Sequence, residues 1–177
     1  MLEQSMMEKT LKLLRSFDGV LEVAPVEGDD VPPIAWGDHF FYYAPDGIAP
    51  RRQPYATIIT KNYPDDVSSD LDRPGRWRLN IHVGRELVAE LTPDASAAAS
   101  DPAAPDPAAS DTAASDTVLP HPLYGRQGWI AIVEPGPATA PSVVDTSATL
   151  TARPRCSGVA RSVPAYRACK LLAVPDP

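Results

Sequence analysis

Arg76, Arg78, Asn80 and His82 alternate with Trp77, Leu79, Ile81 and Val83. That period of two marks a half-buried strand, with apolar side chains turned to a core and two guanidiniums, an amide and an imidazole on the other face. Arginine offers a rigid fork that fits carboxylate or phosphate, and Asn and His add directional donors and acceptors. The row therefore suits recognition of an anionic small molecule or a protein partner. Lys61 on a neighbouring strand and Asp38 or His39 on a hairpin are in reach of it along the chain. The competing reading is a solvated sheet face whose arginine stems cover apolar atoms.

Other chemistry has less behind it. His39, His82 and His121, with Asp38, are nitrogen and oxygen ligand types, but separations of 43 and 39 residues between the histidines give no metal-site spacing. No metal and no cofactor are expected. His82 or His121 as a general acid or base in a small enzyme is the alternative function, which needs an imidazole that titrates near neutrality beside a pocket. The carboxylates of Asp65-Asp66 and Asp70-Leu71-Asp72 lie in a stretch with Ser and Pro and read as a solvated turn. None of the short signatures of nucleophile elbows, phosphate loops, zinc helices or dinucleotide folds is present.

Several elements must position these residues. Met7, Leu11, Leu14 and Phe17, extended by Leu2 and Met6, form the apolar stripe of an N-terminal helix, stopped by Gly19. Val20 to Val23 is a short strand. Ile34 to Ala44 is rich in strand-favouring aromatics, and Pro45-Asp46-Gly47 turns it into a hairpin with Tyr55 to Asn62. By alternation, Tyr42 or Tyr43 faces away from the core. A short helix follows over Gly84 to Leu91, then a strand over Trp129 to Val133, then a helix starting at Thr139 or Ala140.

Between them, residues 94–117 hold ten Ala, five Asp, four Ser, three Pro and two Thr, repeating every five residues from Asp101. A segment without aromatics or large aliphatics cannot build a core and is expected to be a disordered, low-complexity insertion. From Pro154 no steady period remains, and a poorly ordered tail is expected over 154–177. The 177 residues thus suit one domain, taken as residues 1–153. The net charge of −7 divides as −5 in residues 1–93, −5 in 94–117 and +3 in 118–177. With no Lys/Arg cluster in the acidic front half, nucleic acid is an unlikely partner. No apolar run reaches membrane-spanning length and no export signal precedes the two cysteines, so a reducing cytoplasm is the expected setting.

Four motifs carry a resemblance. Ile34-Ala-Trp-Gly-Asp-His-Phe-Phe-Tyr-Tyr-Ala-Pro-Asp-Gly47, Gln53-Pro-Tyr-Ala-Thr-Ile-Ile-Thr-Lys-Asn-Tyr-Pro64, Leu71 to Arg85, and Pro120-His-Pro-Leu-Tyr-Gly-Arg-Gln-Gly-Trp129 resemble, in that order, a family of small bacterial proteins, DUF6194, a domain of unknown function. The resemblance spans roughly residues 10–92 and 118–145 and brings His121 and Tyr124 into the set of ligand-binding candidates. The order of elements, with a late His-Pro-x-Tyr before a Trp-led strand, is more distantly similar to MmcQ/YjbR-like proteins, small α+β domains sometimes suggested to bind DNA. Departures are the long insertion and the sequence after about Val144, which a frameshift or a diverged tail would explain. The expected architecture is a two-layer α+β domain with an antiparallel sheet of four or five strands and helices on one face.

Overall fold

Ser5 opens the first helix with a reciprocal cap: the Glu8 amide donates to Ser5 Oγ and the Ser5 amide to the Glu8 carboxylate, both at 3.2 Å. Helix α1 runs Met6–Arg15 and buries Leu11 and Leu14, with Met7 and Phe17 packed beside them as the stripe predicts. In a computed structural model, residues 5–93 and 114–152 are described, with side chains through residue 146. Leu2, the tail from Pro154 and all but the last four residues of the expected insertion lie outside them.

Six strands make one antiparallel sheet: β1 (Val20–Val23), β2 (His39–Tyr43), β3 (Ala56–Ile59), β4 (Arg78–His82), β5 (Leu119–Pro120) and β6 (Trp129–Val133), in the order β1-β2-β3-β4-β6-β5. The expected four or five strands fall short by the edge strand β5. Two residues are too few to show a period, and a proline, lacking an N–H, fits only an edge. Among the described residues, helices α2 (Arg85–Leu91) and α3 (Ala140–Ala152) join α1.

Two expected strands are shorter than their runs, for local reasons. In the aromatic run, Pro33–Ala35 forms a 3-10 turn and Gly37 adopts φ 82°, so pairing starts only at His39. The run from Tyr55 leaves the ladder after Ile59 because the Thr60 amide donates to Asp38 and the Asn62 amide to Asp72. Where β4 meets α2, Gly128 sits at φ 96° with the position of a Cβ only 2.7 Å from the Gly84 Cα. Its carbonyl accepts the amides of Val83 and Gly84 at 2.8 and 3.0 Å. Only glycine fits so close a backbone crossing.

Alternation then sorts the sheet. Phe41, Ala56, Ile58, Leu79, Ile81, Ile130 and Ile132 share one face and one core with Leu11 and Leu14 of α1, Val88 of α2 and Val143 of α3. Helices α1, α2 and α3 thus cover the same side. The other face carries Phe40, Tyr42, Thr57, Ile59, Arg78, Asn80 and Trp129. It is not open as expected, because residues 60–76 and 121–127 fold over it and leave Arg78 and Asn80 buried.

The expected insertion also ends earlier than 117. Ser115 bridges to Val133, and the Asp116 amide donates to the Val133 carbonyl. The Asp116 carboxylate accepts from the amides of Gly136, Ala138 and Thr139 and from the Thr139 hydroxyl, at 2.7–3.0 Å. It therefore holds the start of α3, where free N–H groups favour an anion. Burial pushes this carboxyl up, and the four hydrogen bonds outweigh it and hold it down to about 2. A depressed folded pKa means that the clasp stabilises above the ordinary 3.8 and fails as the pH drops through about 2. Asp116→Ala should cost about 1 kcal/mol at neutral pH, the scale of a lost helix cap at a solvent-screened site. Urea denaturation checks this: the gap between variant and parent should close on acidification.

Candidate functional site

The loops over the second face leave a cavity of about 240 Å³. Its apolar walls come from Phe40 and Tyr42 on β2, Ile59 on β3, Trp129 on β6, and Leu123 and Tyr124 on the loop before β6. Its polar lining includes Thr57, Tyr63, Asp65, Asp66, Arg78, Asn80 and His121. The strand register explains the meeting: Thr57 stands opposite Asn80, and Ile59 opposite Arg78, across the β3–β4 pair.

Arg78 is 2% exposed and its guanidinium is fully engaged on one side. Nη1 and Nη2 donate to the two oxygens of Asp66 at 3.2 and 2.5 Å, and Nη1 also donates to Ser69 Oγ at 2.8 Å. This forked pair is the geometry that fits a carboxylate best. Burial opposes the charge on Asp66, but the hydrogen bond and charge of Arg78 outweigh it and hold the carboxyl below its ordinary value. Nε of Arg78 is buried without a partner.

His121 stands against the same pair, its Nε2 3.2 Å from Arg78 Nη2 and 3.8 Å from Asp66 Oδ2. Burial, then the positive charge of Arg78, pushes the imidazole down to about 3 despite the pull of Asp66. It is neutral across the physiological range. Its Nδ1 accepts from the Leu123 and Tyr124 amides at 3.2 and 3.3 Å, and its ring lies 4.8 Å from that of Tyr124. The ring thus shapes the 121–124 turn and one cavity wall.

Asn80 is 3% exposed. Its Nδ2 donates to Thr57 Oγ1 at 2.9 Å, and its Oδ1 has no partner.

Of the nine residues singled out from the sequence, Arg78, Asn80, His121 and Tyr124 line the cavity and five do not. Arg76, on the same strand face, donates from Nε to the Ser69 carbonyl at 3.0 Å and lies 3.9 Å from Glu134, holding the covering loop. His82 bonds the Gln127 carbonyl at 3.0 Å and packs against Trp129 with ring centroids 5.4 Å apart. Lys61 donates to the carbonyls of Ile34 and Trp36 at 3.2 and 2.5 Å and reaches Asp38 at 3.3 Å. Asp38, fully buried, accepts from the Thr60 amide and hydroxyl and from the Tyr63 hydroxyl. His39 sits at the register position of Ile58, on the helix side, and pairs with Glu22 at 2.7 Å beside Arg15. These groups anchor the fold around the cavity.

Asp66 was the residue sequence reasoning missed, since an Asp-Asp pair in a polar loop reads as a solvated turn. At 8% exposure it is the counter-ion of the buried guanidinium. The available signal was Arg78 itself, because a guanidinium buried on a strand that is paired on both sides needs a carboxylate. Of Tyr42 and Tyr43, it is Tyr42 that faces away from the helices. His39 stands on β2, His82 on β4 and His121 on the covering loop after β5, and among the described residues no group of three His, Cys, Asp or Glu is placed to hold a metal ion.

The sequence profile of a family of unknown function, DUF6194, matches residues 5–156. The chain belongs to the DUF6194 family. The matched span takes in every element from α1 to α3 and every residue of the cavity lining, so the site lies within what defines the family. No curated protein and no solved structure matches the chain, and the likeness to MmcQ/YjbR-like proteins gains no support from these comparisons. Membership in DUF6194 fixes kinship and assigns no activity. Among the described residues, no helix is long and apolar enough to cross a membrane.

Proposed function

We propose that this DUF6194 protein is a non-catalytic binding module whose ligand site is the sheet-face cavity. The observation that carries the reading is a concave, aromatic-walled pocket with a few buried polar groups converging in it, the usual form of a small-molecule site. The polar strand face suggested an anionic ligand, and the geometry argues for revising that part. Arg78 already has its carboxylate in Asp66, and Asp65 adds negative charge to the lining. A bound anion would find no uncompensated cation there.

An enzyme with a histidine acid or base is less well supported. His121 is the histidine in the cavity, and an imidazole pushed down to about 3, with its Nδ1 already accepting two backbone amides, is a poor proton acceptor at neutral pH. His82 lies outside the lining. Nucleic-acid binding by fold analogy has the acidic balance against it.

Ligand-observed NMR with a library of small aromatic fragments tests the module reading. Fragments that bind the parent protein should weaken about tenfold in Tyr124→Ala, a rim residue that is 43% exposed and lies outside the core. Binding that ignores Tyr124→Ala and Leu123→Ser alike would place the fragments elsewhere and defeat the proposal.

A further inference from the structure

We infer that the cavity takes a small organic ammonium ion with an apolar body, its positive end between Asp65 and the Tyr124 ring and its body running toward Phe40 and Tyr42. This rests on the cavity being a ligand site and specifies what enters it.

An unbalanced charge in the lining carries the inference. The charged side chains that border the cavity are Asp65, Asp66 and Arg78. Asp66 and Arg78 offset each other in their forked pair, and the His121 imidazole, pushed down to about 3, is uncharged at neutral pH. That leaves Asp65. It is exposed, and among the described residues neither a cation nor a hydrogen-bond donor engages its carboxylate. Lys61 and Arg76 lie outside the lining, beside Asp38 and Glu134, and Arg126 of the covering loop lies outside it too. A cation entering the cavity therefore meets one uncompensated negative charge, and an anion meets repulsion.

The walls favour the same sign, because an aromatic ring presents a negative face that attracts an ammonium group. Phe40 and Tyr42 are half-buried and Tyr124 is 43% exposed, so ring surface is accessible at the lining. Contacts fix which end holds the charge. The Tyr124 ring lies 4.8 Å from that of His121, His121 Nε2 lies 3.8 Å from Asp66 Oδ2, and Asp65 is the neighbouring residue in the chain. The Trp129 amide donates to the Tyr124 carbonyl at 3.2 Å. Asp65, Tyr124 and Trp129 thus belong to the β6 end of the cavity. Phe40 and Tyr42 stand on β2, three ladder steps away, or about 14 Å at the usual strand spacing. A ligand reaching from one end toward the other is elongated. The volume of about 240 Å³ exceeds the roughly 150 Å³ that holds a benzene ring, which leaves room for a ring and a short aminoalkyl arm.

Three compounds of one shape separate the possibilities: phenylpropylamine, phenylpropanol and phenylpropanoate carry positive, no and negative charge on the same ring and arm. In NMR titrations of the full chain at neutral pH, read at the Trp129 indole, the amine should bind about fivefold tighter than the alcohol and about tenfold or more tighter than the carboxylate. Added salt should narrow these gaps, since an exposed carboxylate is screened. Asp65→Asn, at an exposed position with no partner to lose, should weaken the amine about fivefold and leave the alcohol unchanged. Binding of the alcohol or the carboxylate as tight as that of the amine, or amine affinity unchanged in Asp65→Asn, overturns the inference while leaving the cavity a ligand site. Failure of all three to perturb the Trp129 indole signal overturns both this inference and the binding reading beneath it.

Discussion

Asp66→Ala is expected to destabilise the protein by about 3–5 kcal/mol, the range for removing one partner of a buried ion pair. The cost arises less from the lost attraction than from what stays behind: a guanidinium 2% exposed, with Ser69 Oγ and a neutral imidazole as its remaining contacts. For a chain of this size the melting temperature should fall by roughly 6–20 °C. Replacing the pair together, Arg78→Met with Asp66→Leu, should recover most of that loss, because apolar side chains of similar volume leave no charge to compensate. The pair also sets a pH dependence. With its folded pKa held below the ordinary carboxylate value, Asp66 stabilises the fold above that value and ceases to as acidification protonates it in the folded state. Denaturant titrations of the parent should show this acid limb, and those of the double variant should show less of it. A single variant within about 0.5 kcal/mol of the parent would mean that Arg78 is solvated, contrary to the covered sheet face described above.

Asp38→Ala should cost about 3 kcal/mol or more, and for a different reason. This carboxylate, with no exposure at all, is the acceptor for four donors: the Thr60 amide and hydroxyl at 2.8 Å, Lys61 at 3.3 Å and the Tyr63 hydroxyl at 2.5 Å. Through Lys61 it is tied to the turn at Ile34 and Trp36, and through Tyr63 to the cavity wall. Removing it takes the shared acceptor away from half-buried donors on the 60–63 segment that follows β3. Asp38→Asn, which keeps one acceptor oxygen, should lose about half as much. Because Tyr63 moves with it, Asp38→Ala should weaken cavity ligands even where the protein remains folded. Hydrogen exchange of the Thr60 amide, protected in the parent and fast in the variant, locates the effect.

The sheet was legible where its residues obey one rule at a time. Alternation over Arg76 to Val83 put Leu79 and Ile81 on the helix side and Arg78 and Asn80 on the other, and β1, β4 and β6 lie within their apolar or alternating runs. It failed where side chains compete with the ladder. Asp38 draws the Thr60 amide out of β3, and Asp116 ties what reads as featureless Ala/Asp/Ser sequence to the start of α3. Both are carboxylates that gather backbone N–H groups from residues about twenty positions away, and no local period records such a contact. The same limit applies to the site. Sequence brought Arg78, Asn80, His121 and Tyr124 forward by residue type and motif, and grouped with them Lys61, Asp38 and His39, which the fold uses to hold itself together. The open, anion-seeking face became a closed one because Asp66 arrives from a loop twelve residues before Arg78.

The most direct test of the cavity as a ligand site is a heteronuclear NMR titration of the full chain with phenylpropylamine, read at the indole signals of its three tryptophans and at the Asn80 side-chain amide. Trp129 lines the cavity, whereas Trp77 lies in the core on the helix side and serves as the internal control. A saturable shift of Trp129 and Asn80 together, with Trp77 unmoved and the response reduced in Tyr124→Ala, is the predicted result. No saturable shift at Trp129, or one equalled at Trp77, would contradict it.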